Sequence, residues 1–338
     1  MTSGWSSARR LRFWLLLRVG LAGLLAILLN AAQGAAQEPQ KSPEQSIRIE
    51  VNRVNVGVIV TDGKGNFVEN LRREQFQILD GGSVQPITDF SPVDAPAQVL
   101  LLLEAGPAVY LLQDSHLFVA NALLQGLSAG DRVAIAVYNQ APTAVLDYTA
   151  DKAMAEAALD QIQFNLGYGD LNLAKSLNTV LDWLDKVPGK KSIVLVSSGV
   201  DTSSPAVSQA LLSRLETGDV RILAVSMSGP LRNGKRGSKQ QIQQTEEAFA
   251  QADAWLKTLA EATGGRAFFP ENAKAFQQTY QQIASLVRHE YSLAFVPPVA
   301  DGAVHRIEVK VVDPTEQGSA SEYRVNHRRG YIAPKAGR

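Results

Sequence analysis

The chain has 338 residues, carries 33 Lys plus Arg against 33 Asp plus Glu for a formal net charge of +0, and contains no cysteine. That balance argues against nucleic acid and an anionic membrane surface as the main partner, since both reward a basic excess. Without cysteine there are no disulfides, thiolate metal sites or cysteine nucleophiles.

Arg9, Arg10 and Arg12 precede an apolar stretch from Phe13 to Leu29, interrupted by Arg18, and Asn30 to Ala36 then supplies small residues for a signal peptidase. Residues 1–36 read as a secretory signal, which places the mature protein in the periplasm or outside the cell. Counted from Phe13, the apolar stretch approaches the lower limit of about 17 residues for a membrane span. A retained N-terminal tether is therefore the alternative, and any membrane association is expected only through residues 13–29. Residues 37–46 are polar, without a structure-forming pattern, and read as a disordered linker.

Ile47 to Val60 alternates apolar and polar residues before turning continuous, the period of a strand. Asp62-Gly63-Lys64-Gly65-Asn66 follows as a hairpin turn, Gln77 to Leu79 reads as another strand, Ile87 to Phe90 closes the region, and Pro92 and Pro96 mark a linker. Residues 47–92 are thus all-β and too short to bury much core alone.

From Val99 strands and helices alternate. The apolar run Val99 to Leu103 suits a central parallel strand that delivers Glu104 to the carboxyl edge of a sheet, where ligands of such folds bind. A helix is expected over Leu111 to Leu127, a strand over Val133 to Tyr138, and an antiparallel edge strand over Val145 to Tyr148. Helices follow over Asp151 to Ile162, capped by Asp151, and Leu173 to Leu184. Ser192 to Val196 is a core strand, Ala206 to Thr217 a helix, and Val220 to Val225 a strand. Ser226 to Lys239 reads as an irregular solvated loop with no phosphate-binding Gly-Lys pattern. Gln240 to Ala262 is a long helix, Ala267 to Phe269 a short strand, and Ala273 to His289 a final helix.

After Tyr291 the pattern returns to β, with strands at Ser292 to Val296, His305 to Val312 and Tyr323 to His327. The expected fold class is α/β: a doubly wound, mostly parallel sheet with helices on both faces over residues 96–289, inserted into a small β-sandwich whose halves are residues 47–92 and 290–334.

Several segments, in this order and spacing, resemble the von Willebrand factor type A domain, and more closely the Acidobacteria-type family of exported proteins related to it. They are VGVIVTDGKGNFVENLRREQFQILDGG (Val56 to Gly82), the core strand with LLLEAGPA, IVLVSSGVDTSS (Ile193 to Ser204), LAEATGGRAFFP (Leu259 to Pro270), YSLAFVPP (Tyr291 to Pro298) and RRGYIAP (Arg328 to Pro334). The resemblance implies a Rossmann-like sheet and a metal-ion-dependent adhesion site, in which an Asp-x-Ser-x-Ser, a loop Thr and a later Asp hold a divalent cation with an open position for a partner carboxylate.

This chain departs from that pattern at each ligand. Glu104 stands for the Asp, Gly106 and Ala108 for the two serines, Leu171 (with Asp170 beside it) for the Thr, and Ser198 for the later Asp. No resident cofactor is therefore expected, with weak Mg²⁺ or Mn²⁺ binding through Glu104, Asp170 and Ser198 as the alternative. Glu104 also has a structural reading, as a carboxylate held by backbone NH groups at the start of the next helix. Asp201 reads as part of a loop capping the helix after it, and His289 and His305 as polar surface positions. His116 and His327 complete a set of four histidines without a His-x-x-x-His pairing, which argues against a zinc hydrolase.

The resemblance and the absence of a catalytic constellation point to a non-enzymatic protein-binding or scaffold protein. Cation-dependent adhesion with Glu104 as the surviving anchor is the alternative. A hydrolase is a third class, against which stand the missing Gly-x-Ser-x-Gly and the lack of a His near Ser198 in sequence.

Overall fold

A computed structural model describes residues 53–94, 96–106, 113–162, 170–233, 238–312 and 323–335. The signal segment, the linker, the first residues of the strand expected from Ile47, and Ala108 lie outside the described residues.

Strands β1 (Val54–Thr61), β2 (Phe76–Asp80), β3 (Ser83–Gln85) and β4 (Asp89–Asp94) come from the N-terminal part of the chain. They lead into β5 (Gln98–Glu104), α1 (Gln113–Gly126), β6 (Arg132–Tyr138), β7 (Pro142–Thr149), α2 (Lys152–Asp160), α3 (Leu173–Leu184), β8 (Lys191–Ser197), α4 (Pro205–Thr217) and β9 (Val220–Ser226). Then come α5 (Ser228–Asn233), α6 (Lys239–Ala262), β10 (Arg266–Phe268), α7 (Ala273–Arg288), β11 (His289–Phe295), β12 (Val304–Val311), β13 (Arg324–Asn326) and β14 (Gly330–Ile332).

The six-stranded sheet has the order β10-β9-β8-β5-β6-β7, parallel except for β7. Because side chains alternate across a strand, β5 feeds two cores at once. Val99, Leu101 and Leu103 join Leu123, Leu124, Leu159, Tyr280 and Ile283 on one face, while Leu100 and Leu102 join Leu177, Leu181, Leu211, Leu256 and Leu259 on the other. A strand buried on both faces must be apolar throughout, which is why Val99 to Leu103 reads as an unbroken run.

The terminal segments form two antiparallel sheets, β13-β1-β11-β4 and β14-β12-β2-β3, around a shared cluster that includes Val56, Val58, Phe76, Ile78, Leu293, Phe295 and Val309. Strands from both ends of the chain meet in each sheet, alternating in the first and joined at β12-β2 in the second; Val56 of β1 pairs with Leu293 of β11, and Val309 of β12 with Ile78 of β2. Tyr291 ties the cluster to the N-terminal loop, its hydroxyl donating to the Val68 carbonyl at 2.7 Å and accepting from the Leu71 NH at 3.1 Å.

The sandwich abuts the amino-terminal edge of the parallel sheet. Asn326 of β13 donates to the Gly265 carbonyl before β10, and Arg221 at the start of β9 lies 2.6 Å from Glu290 of β11. The carboxyl edge, at the end of β5, is the opposite one.

Three sequence expectations change. β4 runs through Pro92, which pairs with Tyr291; β4 is an edge strand, where a missing NH is tolerated, so Pro92 does not begin a linker. The expected irregular loop after Ser226 contains the short helix α5. His289 and His305 are not plain surface positions: His289 stacks on Phe67 with ring centres 5.4 Å apart, and His305 stacks on Tyr331 and lies 3.6 Å from Asp80.

Candidate functional site

β5 continues to β6 on one side while β8 lies on the other, so the carboxyl ends of β5 and β8 flank the point where strand order reverses. Open α/β sheets bind ligands in the crevice at such a point. Glu104, the last residue of β5, sits there with no exposed surface. Its Oε2 accepts from the Ser198 NH at 2.8 Å, and the Ser197 hydroxyl donates to it at 3.0 Å. The Ser198 hydroxyl lies 2.8 Å from Oε2 and 3.0 Å from Oε1, and the Tyr138 hydroxyl 3.3 Å from Oε2. Tyr138 and Ser197 are themselves joined at 2.7 Å.

These donors come from the ends of β6 and β8, which register alignment brings beside Glu104; Tyr138 is its direct neighbour across β5 and β6. Burial raises the Glu104 carboxyl above the usual range, and the hydrogen bonds from Ser198, Ser197 and Tyr138 oppose that rise. A buried carboxyl persists in a fold only when its oxygens are satisfied in this way.

Leu171 closes the space beside the carboxyl. A Cβ added to Gly106 would lie 2.8 Å from Leu171 Cδ2 and 3.4 Å from Glu104 Oε1, so the leucine occupies room a serine side chain at 106 would need. The Leu171 backbone is fixed by its carbonyl, which accepts from the Thr202 NH at 2.7 Å and the Thr202 hydroxyl at 2.9 Å. Glu104, Gly106, Leu171 and Ser198 therefore converge, while Asp170 is exposed.

Asp201 does something other than expected. Its carboxylate accepts from the Ala174 NH at 3.1 Å, from the Ser203 NH at 2.9 Å and from the Trp255 indole NH at 3.2 Å. It therefore caps α3, the helix before it, across the loop, because Asn172 at the N-cap makes no side-chain capping bond and is engaged instead with the Gln140 carbonyl and the Thr202 hydroxyl. The helix after it starts instead at Ser204 with Pro205 in its first turn. Between Val200, Asp201, Ser208, Gln251 and Trp255 the edge opens into a cleft of about 330 Å³. Gly199 has φ +80 and a Cβ there would approach the Ala252 carbonyl to 2.6 Å, so close packing of α6 against this turn requires glycine.

A second polar cluster flanks the cleft. The hydroxyls of Ser226 and Ser228 donate to Asp253 Oδ1 at 2.7 and 2.8 Å, and Arg232 reaches Oδ2 of the same carboxylate at 2.8 Å. Sequence reasoning missed this cluster and the part played by Tyr138 and Ser197, because the partners are brought together from several elements. Only an aromatic hydroxyl at the end of one apolar strand and paired serines at the end of another were available as signals. Among the described residues, no three His, Asp or Glu side chains converge as metal ligands.

The profile of the von Willebrand factor type A domain matches residues 117–282. The chain carries a von Willebrand factor type A domain. The matched span begins inside α1, beyond Glu104 and Gly106, although β5 and its carboxylate complete the same sheet. Among solved structures, the domain is similar to a von Willebrand factor type A protein from Catenulispora acidiphila, at 10% identity over 76% of this chain and 76% of that one, with a TM-score of 0.46. It is also similar to an aerotolerance-related membrane protein from Bacteroides fragilis, at 14% identity over 56% of this chain and 99% of that one, TM-score 0.42. A third is proximal thread matrix protein 1 from the mussel byssus, at 13% identity over 62% and 51% of the two chains, TM-score 0.44. No curated protein matches the sequence. The von Willebrand type A domain is a common scaffold for protein interaction and adhesion. Among the described residues no helix is long and apolar enough to cross a membrane.

Proposed function

We propose that this chain is an exported, non-enzymatic binding or scaffold protein that engages a protein partner through the carboxyl edge of its von Willebrand type A domain without a divalent cation. The observation that carries the reading is the Glu104 cage. Its carboxyl is committed to Ser197, Ser198 and Tyr138, and Leu171 fills the space beside it where the adhesion site of the family places a hydroxyl. A hard cation needs oxygens free to point at it and an open coordination position. The donor set here supports neither.

The same burial supports a non-enzymatic reading, since Ser197 and Ser198 have no exposed surface from which to reach a substrate. The basic and apolar N-terminus supports export, to the periplasm or beyond, with a tether through residues 13–29 as the alternative form. Partner recognition then falls to the rim, where Val200 is 38% exposed beside the cleft at Trp255.

Calorimetric titration with Mg²⁺ and Mn²⁺ tests the cation-free edge: binding is expected to be absent or millimolar, and micromolar affinity lost in Glu104→Ala would restore the adhesion-site reading. Turnover of an ester or peptide panel that disappears in Ser198→Ala would overturn the non-enzymatic one.

A further inference from the structure

The junction between the sandwich and the amino-terminal edge of the parallel sheet encloses a second, smaller pocket of about 170 Å³. Four basic side chains line it, Lys190, Lys191, Arg221 and Arg328, against two carboxylates, Asp219 and Glu290. Lys191 pairs with Asp219 at 2.9 Å. Glu290 is shared, lying 2.6 Å from Arg221 and 3.7 Å from Lys190. Arg328 meets only carbonyls among the described residues, donating to Thr217 at 3.0 Å, Gly218 at 3.3 Å and Asn55 at 2.8 Å. Positive charge therefore exceeds negative in a confined space.

Two donors in this pocket's wall are also unmet. Among the described residues, the Nε atoms of Arg221 and Arg328 are both buried without a hydrogen-bond partner, and Arg221 is only 6% exposed. A buried donor without an acceptor costs about 1–3 kcal/mol, and native structures resolve nearly all of them with protein, water or an ion. An acceptor that carries negative charge would meet both Nε atoms and the surplus charge together. Guanidinium groups match the oxygens of phosphate and sulfate in geometry as well as in sign. The pocket holds several times the ~30 Å³ share of one water yet falls below the ~300 Å³ typical of organic-ligand sites, which favours a small ion. Gly57 helps to keep it open, since a Cβ there would lie 3.0 Å from Glu290 Oε2 and 3.2 Å from Arg221 Nη2.

We propose that this junction pocket binds a small inorganic oxyanion, phosphate or sulfate, between Arg221, Arg328 and Lys190. Such an ion would bridge β9 and the loop before β8 to the sandwich segment at Arg328, coupling the two layers of the protein.

Thermal unfolding and calorimetry of the mature chain, titrated with inorganic phosphate or sulfate against chloride at equal ionic strength, test the site. Specific binding gives a saturable rise in Tm with ligand, whereas the general stabilisation of proteins by these salts does not saturate. Arg328→Gln should weaken the apparent affinity by about tenfold or more, as expected for the loss of a charge-assisted contact. Arg324→Gln, on β13 but outside the pocket, should leave it unchanged. If Arg328→Gln fails to fold, Lys190→Gln serves as the second variant with the same expectation. A response equal in chloride, one that never saturates, or one unaltered by the pocket variant that folds overturns the proposal, and water is then the partner of the two Nε atoms.

Discussion

The Ser198 hydroxyl lies within 3.0 Å of both carboxyl oxygens of Glu104, so the residue standing where the adhesion-site pattern has its later carboxylate instead holds the first. Two like charges facing each other across the edge would need a cation between them. A hydroxyl facing a carboxyl satisfies it directly.

Glu104→Ala should therefore destabilise the protein by about 2–4 kcal/mol, because the Ser198 NH and the hydroxyls of Ser197 and Tyr138 lose an acceptor in a site water does not reach. Glu104→Gln, which keeps one carbonyl acceptor, should cost about half as much or less. Equilibrium urea unfolding of both variants measures the difference.

Gly106 and Leu171 should be energetically coupled. Gly106→Ala places a methyl 2.8 Å from Leu171 Cδ2 and should cost about 1–3 kcal/mol through overpacking. Leu171→Ala should relieve that clash, so the double variant should be more stable than the sum of the single losses predicts. A double-mutant cycle by denaturant unfolding reads the coupling, and strict additivity would show that Leu171 does not fill the space.

Asp201→Ala should lose about 1–2 kcal/mol, the typical worth of a helix cap, here supplied to α3 through the Ala174 NH. The same change frees the Trp255 indole NH, so Trp fluorescence should shift with it. Asp201→Asn should retain most of the stability through its carbonyl oxygen.

Lys190 supplies a pH dependence of stability. Burial is the main reason its ammonium is lowered from 10.5 to about 8; Arg221 adds to the lowering, while Glu290 and Asp131 oppose it. Below about 8 the folded protein bears the cost of the buried charge in full; as pH rises from there toward 10.5, the unfolded chain keeps the proton longer, so this group's contribution to stability increases. The stability difference between the wild type and Lys190→Met should change across that window and be flat below it, as measured by urea midpoints at stepped pH. Oxyanion affinity at the junction should fall as pH rises through about 8, where the folded-state ammonium is lost.

Much of the fold could be read from residue order. The apolar run at Val99 to Leu103, the cap at Asp151, which accepts from the Met154 NH, and the antiparallel strand around Val145 all reflect local periodicity or local hydrogen bonding. The site was partly legible, because a strand that ends in a carboxylate names its own position at the edge. Its hydrogen-bond partners were not, because Tyr138, Ser197 and Ser198 reach Glu104 only through sheet register, which no local pattern encodes. Asp201 shows the same limit: the loop sequence marks a capping residue, and only tertiary packing decides that it caps α3 rather than α4.

Each sheet of the sandwich joins strands from both ends of the chain, and the Leu71 NH meets the Tyr291 hydroxyl across 220 residues of sequence. β1 and β4 take their strand partners from β11 and β13, so their hydrogen-bonding edges stay uncovered until those strands are available, while the intervening α/β segment can already collapse on its own nearer contacts. Closing the sandwich is then expected to follow the α/β segment, since its contacts join residues far apart in sequence. A lesion in β11 or β12 would leave the N-terminal strands exposed and prone to aggregate even where the von Willebrand type A sheet has formed.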